Sequence, residues 1–202
     1  MTAREFAVTW DYRCPFARNF AEHVLLGQTE ADDDWRVRWV PFSLNQTKVA
    51  EGGTDVWDDP EMAATRMAVE VGIAVRDGWP DAFPAVHRAL FAARHDHGLD
   101  IRDHDVVAGV LATHGLDADK VFNEVLDGGP RDAFRAEHQA AVAEHRVFGV
   151  PTVIAGGQAV FIRLVHRPAG DAAEARATVE RCLDLVTGWP NLNEFKHTTI
   201  PH

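Results

Sequence analysis

The spacing of apolar residues changes period twice along this chain, from strand-like to helical and back. Residues 5–10, Glu5-Phe6-Ala7-Val8-Thr9-Trp10, are rich in β-branched and aromatic side chains and predict a buried strand. Asp11-Tyr12-Arg13 predicts a turn, after which Cys14-Pro15 opens a helix reaching about Leu26 and stopping at Gly27. Proline suits the first helical position, where its missing N–H has no partner to lose. Phe16, Phe20 and Val24 recur at i, i+4 and i+8, which gives that helix one apolar stripe. From Trp35 the period becomes two: Trp35, Val37 and Trp39 alternate with Arg36 and Arg38 up to Val40-Pro41-Phe42. Strand, helix and strand in this order make a βαβ unit, hence a parallel pair with a right-handed crossover.

A loop holding Gly52-Gly53 leads into residues 59–148, which read as helical almost throughout. Five helices are predicted there: Pro60 to Gly78, Pro80 to Gly98, about Asp103 to Gly115, Asp117 to Gly128-Gly129, and Pro130 to His145. Proline at the starts and glycine at the ends punctuate them. The fifth carries Phe134, His138, Ala141-Val142 and His145 on one side. The strand period then returns. Val150 to Ala155 predicts a strand, Gly156-Gly157 a tight turn, Gln158 to Ile162 the returning strand, and Asp171 to Val186 a last helix. The fold class is α/β, with a large all-helical insertion between a βαβ half and a ββα half. The expected divisions are 1–58, 59–148, and 149–202 with its tail.

Composition narrows the function. Thirty-one acidic residues against 20 basic ones leave a net charge of −11, which argues against nucleic acid and anionic membrane surfaces as partners. No apolar run approaches the roughly 18 residues of a membrane span. Met1-Thr2-Ala3-Arg4-Glu5-Phe6 lacks the basic start and apolar run of a secretory signal, so a cytoplasmic location is expected. With Cys14 and Cys182 as the two cysteines, a disulfide framework and a four-cysteine zinc site are both excluded. His95-Asp96-His97 invites a metal reading. Alternate residues of a helix point about 200° apart, however, so a solvated helix end is the simpler account and no metal is expected. The Asp32-Asp33-Asp34 run predicts a solvated loop.

Cys14 carries the chemistry most readily placed. A cysteine at a helix start faces unpaired backbone N–H groups and the positive end of the helix dipole, and both favour thiolate. Arg13 beside it and Arg18 one turn on are expected to push the same way, so its pKa is expected to fall well below about 8.5. On spacing alone, an inert buried cysteine that merely starts a helix stands level with this reading.

Gly149-Val150-Pro151-Thr152, between a helix and a strand, changes that balance. A strand, a Cys-Pro helix start, a long helical insertion and then Gly-Val-Pro-Thr leading into a hairpin together resemble the DsbA-like branch of the thioredoxin superfamily. The resemblance covers nearly the whole chain. It implies a cis Val150-Pro151 bond lying against Cys14, and a binding surface formed by Arg13, Pro15, Phe16, Val150 and Pro151. Asn193-Glu194-Phe195-Lys196, Phe42 to Gln46 and Val56 to Pro60 further resemble a cytoplasmic, actinobacterial-type subgroup related to mycothiol-dependent nitroreductases. More distant likenesses are to kappa-class glutathione transferases and 2-hydroxychromene-2-carboxylate isomerases. This narrower resemblance implies that Asn45, Trp57 and His138 line a cofactor or substrate cleft. On the residues themselves, Asn45 equally caps a loop, while Trp57 and His138 equally belong to the core.

The motif departs from the family pattern at one position. Cys14-Pro15-Phe16-Ala17 has alanine where a dithiol enzyme has its second cysteine, so no internal disulfide can form within it. Cys182, aligned with Val179 and Val186, reads as a small core residue. A monothiol enzyme is therefore expected to exchange with a low-molecular-weight thiol, mycothiol or glutathione, as co-substrate, with no tightly bound cofactor. Small-molecule or protein thiols and disulfides are the expected substrates. Oligomeric state stays open, a homodimer included. A thiol-cofactor-dependent transferase or isomerase, and a non-catalytic thioredoxin-like binding module, are the competing readings. Asp11 fits either a proton relay or a plain turn residue.

Overall fold

The computed structural model describes residues 4–30, 35–194, 196 and 199; the Asp32-Asp33-Asp34 run and Phe195 of the tail lie outside them. A four-stranded sheet has the order β2-β1-β3-β4. Strand β1 (Arg4–Trp10) pairs in parallel with β2 (Trp35–Pro41), from Arg4 opposite Trp35 to Trp10 opposite Pro41. Its other edge pairs antiparallel with β3 (Thr152–Ala155) through Ala7 opposite Ile154 and Val8 opposite Val153. Because β1 is interior and covered on both faces, Phe6 to Trp10 are all buried, the continuous apolar run of such a strand. Strand β2 is an edge, and its exposed Arg36 and Arg38 follow the period read from the sequence. Gly156 and Gly157, at φ +55° and +76°, turn β3 into β4 (Gln158–Phe161). This double left-handed conformation matches the right-handed twist of a hairpin and suits glycine.

Helix α1 (Pro15–Gly27) joins β1 to β2 and packs along α7 (Ala172–Gly188). The two approach so closely at Gly27 that a Cβ there would stand 2.9 Å from the Arg176 backbone. Between the sheet halves run α2 (Ala63–Gly78), α3 (Phe83–His95), α4 (His104–Thr113), α5 (Ala118–Leu126) and α6 (Gly129–His145). A 3-10 turn over Pro60–Met62 precedes α2. The insertion seats on the C-terminal ends of β1 and β2: Gly72 of α2 leaves room for Trp10 and Tyr12, and Phe83 and His87 of α3 meet Trp39.

Two local expectations change. Helix α6 buries Pro130, Phe134, His138 and Ala141, while Val142 is exposed, so its apolar stripe is narrower than the sequence implied. Strand β3 begins at Thr152, paired with Phe161 of β4, rather than at Val150, and its ladder to β1 already ends at Val153. Beyond it the Thr9 hydroxyl takes over, accepting the Thr152 N–H at 2.7 Å. Among the described residues no helix is long and apolar enough to cross a membrane.

Candidate active site

Cys14 is the N-cap of α1, in extended conformation (φ −94°, ψ 117°), with Pro15 as the first helical residue. The turn from β1 is built by Asp11, whose backbone carbonyl accepts the Cys14 N–H at 3.0 Å. The Asp11 carboxylate is buried and accepts the Arg13 N–H at 2.9 Å, the Arg13 Nε and Nη2 donors at 3.1 and 2.7 Å, and the Leu44 N–H at 3.0 Å. Those bonds make Asp11 the clamp that fixes the Cys14 turn against the loop after β2. The sequence left its role between relay and turn residue.

The Cys14 Sγ is held from two sides. It accepts the Ala17 N–H at 3.4 Å, as an N-cap side chain does, and its thiol donates to the Val150 carbonyl at 3.2 Å. Chain elements 136 residues apart thus meet at one sulfur. The Val150–Pro151 bond is cis. The Pro151 carbonyl accepts the Ile162 N–H at 3.0 Å, so this segment is tied to the end of the β3–β4 hairpin.

The expected acidity of Cys14 is reversed. Burial pushes its pKa up, and this outweighs the lowering by the Ala17 and Phe16 backbone N–H groups. The Asp11 charge raises it further and the Arg163 charge lowers it. The helix-start argument holds, but Cys14 is only 8% exposed, and loss of solvation dominates. Nor do the two arginines named from sequence act on the sulfur. Arg13 is turned onto Asp11 and Asn45, and Arg18 is paired with Asp96 at 2.5 Å. Substituting Asp11→Asn removes a raising charge, so the alkylation profile of Cys14 is expected to move to lower pH. An unmoved or higher midpoint, measured on folded variant by iodoacetamide kinetics, contradicts this electrostatic account.

The remaining residues named from sequence divide into two groups. Pro15 and Phe16 follow Cys14 in the chain, Val150 accepts from its thiol and is joined by a cis bond to Pro151, and half-buried Phe16 carries the Arg163 guanidinium over its ring at 4.2 Å. Asn45 reaches this region through Arg13, whose Nη1 it accepts at 2.5 Å, while its amide donates to Thr65 Oγ1 at 3.3 Å. Trp57 and His138 are buried in an aromatic cluster with Phe42 and Phe134. His138 Nδ1 accepts the Ser43 N–H at 3.2 Å, and burial lowers its pKa to about 4. It is a neutral core histidine at physiological pH. The cleft implied for these two side chains is filled by their own packing.

Cys182 is half-buried on α7, free of any disulfide, with its pKa pushed up to about 11 by burial. Among the described residues no cluster of three or more His, Cys, Asp or Glu could hold a metal ion. His95, at the end of α3, instead donates from Nε2 to the Tyr12 carbonyl at 2.9 Å. Arg163 was not singled out by sequence reasoning. It is one of seventeen arginines, in an irregular stretch where no periodicity marks its direction.

No curated protein sequence matches the chain. Solved structures of similar shape include the oxidoreductase NmDsbA1 of Neisseria meningitidis, with TM-score 0.61 and 16% identity over 92% of this chain and 84% of that one. A 2-hydroxychromene-2-carboxylate isomerase gives TM-score 0.61 and 16% identity over 90% and 96%. MdbA, a thiol-disulfide oxidoreductase of Actinomyces oris, gives 0.60 and 18% over 95% and 83%. At such identities the likeness is one of fold. A family model described as a DSBA-like thioredoxin domain matches residues 7–165.

Proposed function

This chain belongs to the DSBA-like thioredoxin domain family, and from that premise we propose that it is a monothiol thiol–disulfide oxidoreductase working with a low-molecular-weight thiol such as mycothiol or glutathione. The observation that supports this reading is the seating of Cys14 Sγ between the Ala17 N–H and the Val150 carbonyl, with alanine in place of a second motif cysteine. Cys14 gives up its proton and attacks one sulfur of a disulfide. The S–S bond breaks, the departing thiolate takes up a proton, and Cys14 is left in a mixed disulfide. A second low-molecular-weight thiol then attacks that bond and restores the Cys14 thiol, so the net reaction is exchange between one disulfide and one thiol. Loss of the proton also breaks the contact with Val150, which frees that carbonyl to accept a strand-like hydrogen bond from an incoming peptide or thiol.

Intact mass after exposure to an oxidised low-molecular-weight thiol tests this. Wild type and Cys182→Ser are expected to gain one adduct that free thiol removes, and Cys14→Ser none. A second reading is favoured by the burial that keeps Cys14 neutral. A neutral thiol can donate a hydrogen bond to the thiolate of a bound cofactor, as a transferase or isomerase needs. Under it, no adduct forms, and Cys14→Ser still binds reduced thiol by calorimetry while Cys14→Ala does not. Neither adduct nor binding leaves a non-catalytic module.

A further inference from the structure

Cys14 sits in a chain whose net charge of −11 repels anionic reagents unless a nearby cation offsets it. Arg13, Arg18, Arg163 and Arg167 lie in or against α1 and the turn before it. Three are already neutralised by carboxylates: Arg13 by Asp11 at 2.7 Å, Arg18 by Asp96 at 2.5 Å, and Arg167 by Glu22 at 2.6 Å. Arg163 differs. It is exposed, and among the described residues no carboxylate pairs with it. Its place is fixed by other means. The preceding residue, Ile162, is bonded to the Pro151 carbonyl, and the guanidinium lies on the ring of Phe16, two residues beyond Cys14.

A guanidinium stacked on an aromatic face keeps its in-plane N–H donors, and those match a planar carboxylate. Its charge also reaches the sulfur, since it is the arginine that lowers the Cys14 pKa. We infer that Arg163 is the anion-recognition residue of the Cys14 site, selecting thiols and disulfides with a carboxylate near their sulfur over neutral or cationic ones. The substrate class favoured is a carboxylated peptide thiol rather than a neutral, sugar-linked one. The biological consequence rests on Cys14 being the exchanging sulfur; the charge preference itself applies to any reagent that reaches Cys14.

Two reagent sets separate these layers in a Cys182→Ser background. Iodoacetate and iodoacetamide are similar in size and share a leaving group but differ in charge. Both consume the same thiolate, so any change in the Cys14 pKa cancels in the ratio of their rates. Arg163→Gln is expected to lower the iodoacetate-to-iodoacetamide ratio about fivefold at low salt, the factor for a unit charge pair near 4 Å in water. Raising salt from about 10 mM to about 1 M brings the unsubstituted ratio toward that of the variant, and Arg163→Lys keeps most of it. The second set is 3,3′-dithiodipropionate, bis(2-hydroxyethyl) disulfide and cystamine, followed by intact mass. The unsubstituted site is expected to react in that order, and Arg163→Gln to flatten it. A ratio unchanged within about twofold in Arg163→Gln overturns the assignment, even where every disulfide adds to Cys14. A ratio that falls while no disulfide adds keeps the assignment and removes the exchange reading.

Discussion

Between pH 7 and pH 4 the protein is expected to lose roughly 6 kcal/mol of stability, as much as many domains possess. His87 is fully buried among Trp10, Tyr12, Trp39, Phe83 and Phe91. Its Nδ1 lies 2.9 Å from the Tyr12 hydroxyl, and its Nε2 is without a hydrogen-bond partner. Burial lowers its pKa to about 3, and that of His138 to about 4. Both values lie below the ordinary imidazole value near 6.5. In the unfolded chain these imidazoles protonate from about pH 6.5 downward, while in the folded chain they resist. The unfolded state therefore binds more protons across this window, and stability falls as pH falls. The loss begins near 6.5 and levels off only below the folded values. At about 1.4 kcal/mol per unit, each histidine contributes about 3 kcal/mol of the loss by pH 4. Urea unfolding at a series of pH values measures it. His87→Leu is expected to lower stability at pH 7, because the Tyr12 hydroxyl loses its partner, yet to flatten the acid slope by about half. A wild-type slope already flat between pH 6.5 and 4 would falsify this assignment.

Glu70→Ala is expected to cost about 3–5 kcal/mol and to lower Tm by roughly 6–20 °C, since removing one partner leaves the other charge buried and unpaired. Arg66 and Glu70, one turn apart on α2, are each 7% exposed and meet at 2.8 Å. Arg66 also donates to the Val56 and Asp59 carbonyls. The pair therefore pins the loop that carries Trp57, whose ring packs on Phe134 and His138 and lies under the Arg135 guanidinium. Glu70→Gln keeps an acceptor for Arg66 and is expected to fall between Glu70→Ala and wild type. Thermal and urea unfolding decide the matter; a Glu70→Ala midpoint within about 1 kcal/mol of wild type means the ion pair does not hold this loop.

Period and punctuation made most of the elements legible. The strand-rich run at Phe6 to Trp10 and the alternation at Trp35 to Trp39 foretold the two parallel strands, and Gly156-Gly157 marked the hairpin. The meeting of Cys14 with Val150 was legible only through motif order, because no local pattern reports a contact across 136 residues. Where local reasoning was applied to electrostatics, it failed in direction. Helix-start donors were visible in Cys14-Pro15, but the burial that outweighs them depends on distant chain, the Val150 segment included, that reaches the sulfur only in the fold. His138 was placed on the apolar side of its helix, yet a stripe shows that a side chain is covered and not whether a ligand or another ring covers it; Trp57 lies in a turn and belonged to no stripe. Arg13 and Arg18 were chosen as neighbours in sequence. Asp11 and Asp96 claim them in space, and the cation that reaches Cys14 comes from beyond the hairpin.

The adjacency of β1 and β3 also sets a clock during synthesis. At roughly 5–20 residues per second, a ribosome takes about 7–30 s to travel from Trp10 to Thr152. Through that interval the first strand, the first helix and the second strand already exist as a chain, but the sheet lacks the half that follows the insertion. Cys14 then has neither the Val150 carbonyl nor the cover that raises its pKa in the finished protein. The nascent thiol therefore lacks the burial that raises the pKa of the mature one. Emergence of the last hairpin is the event that withdraws the thiol.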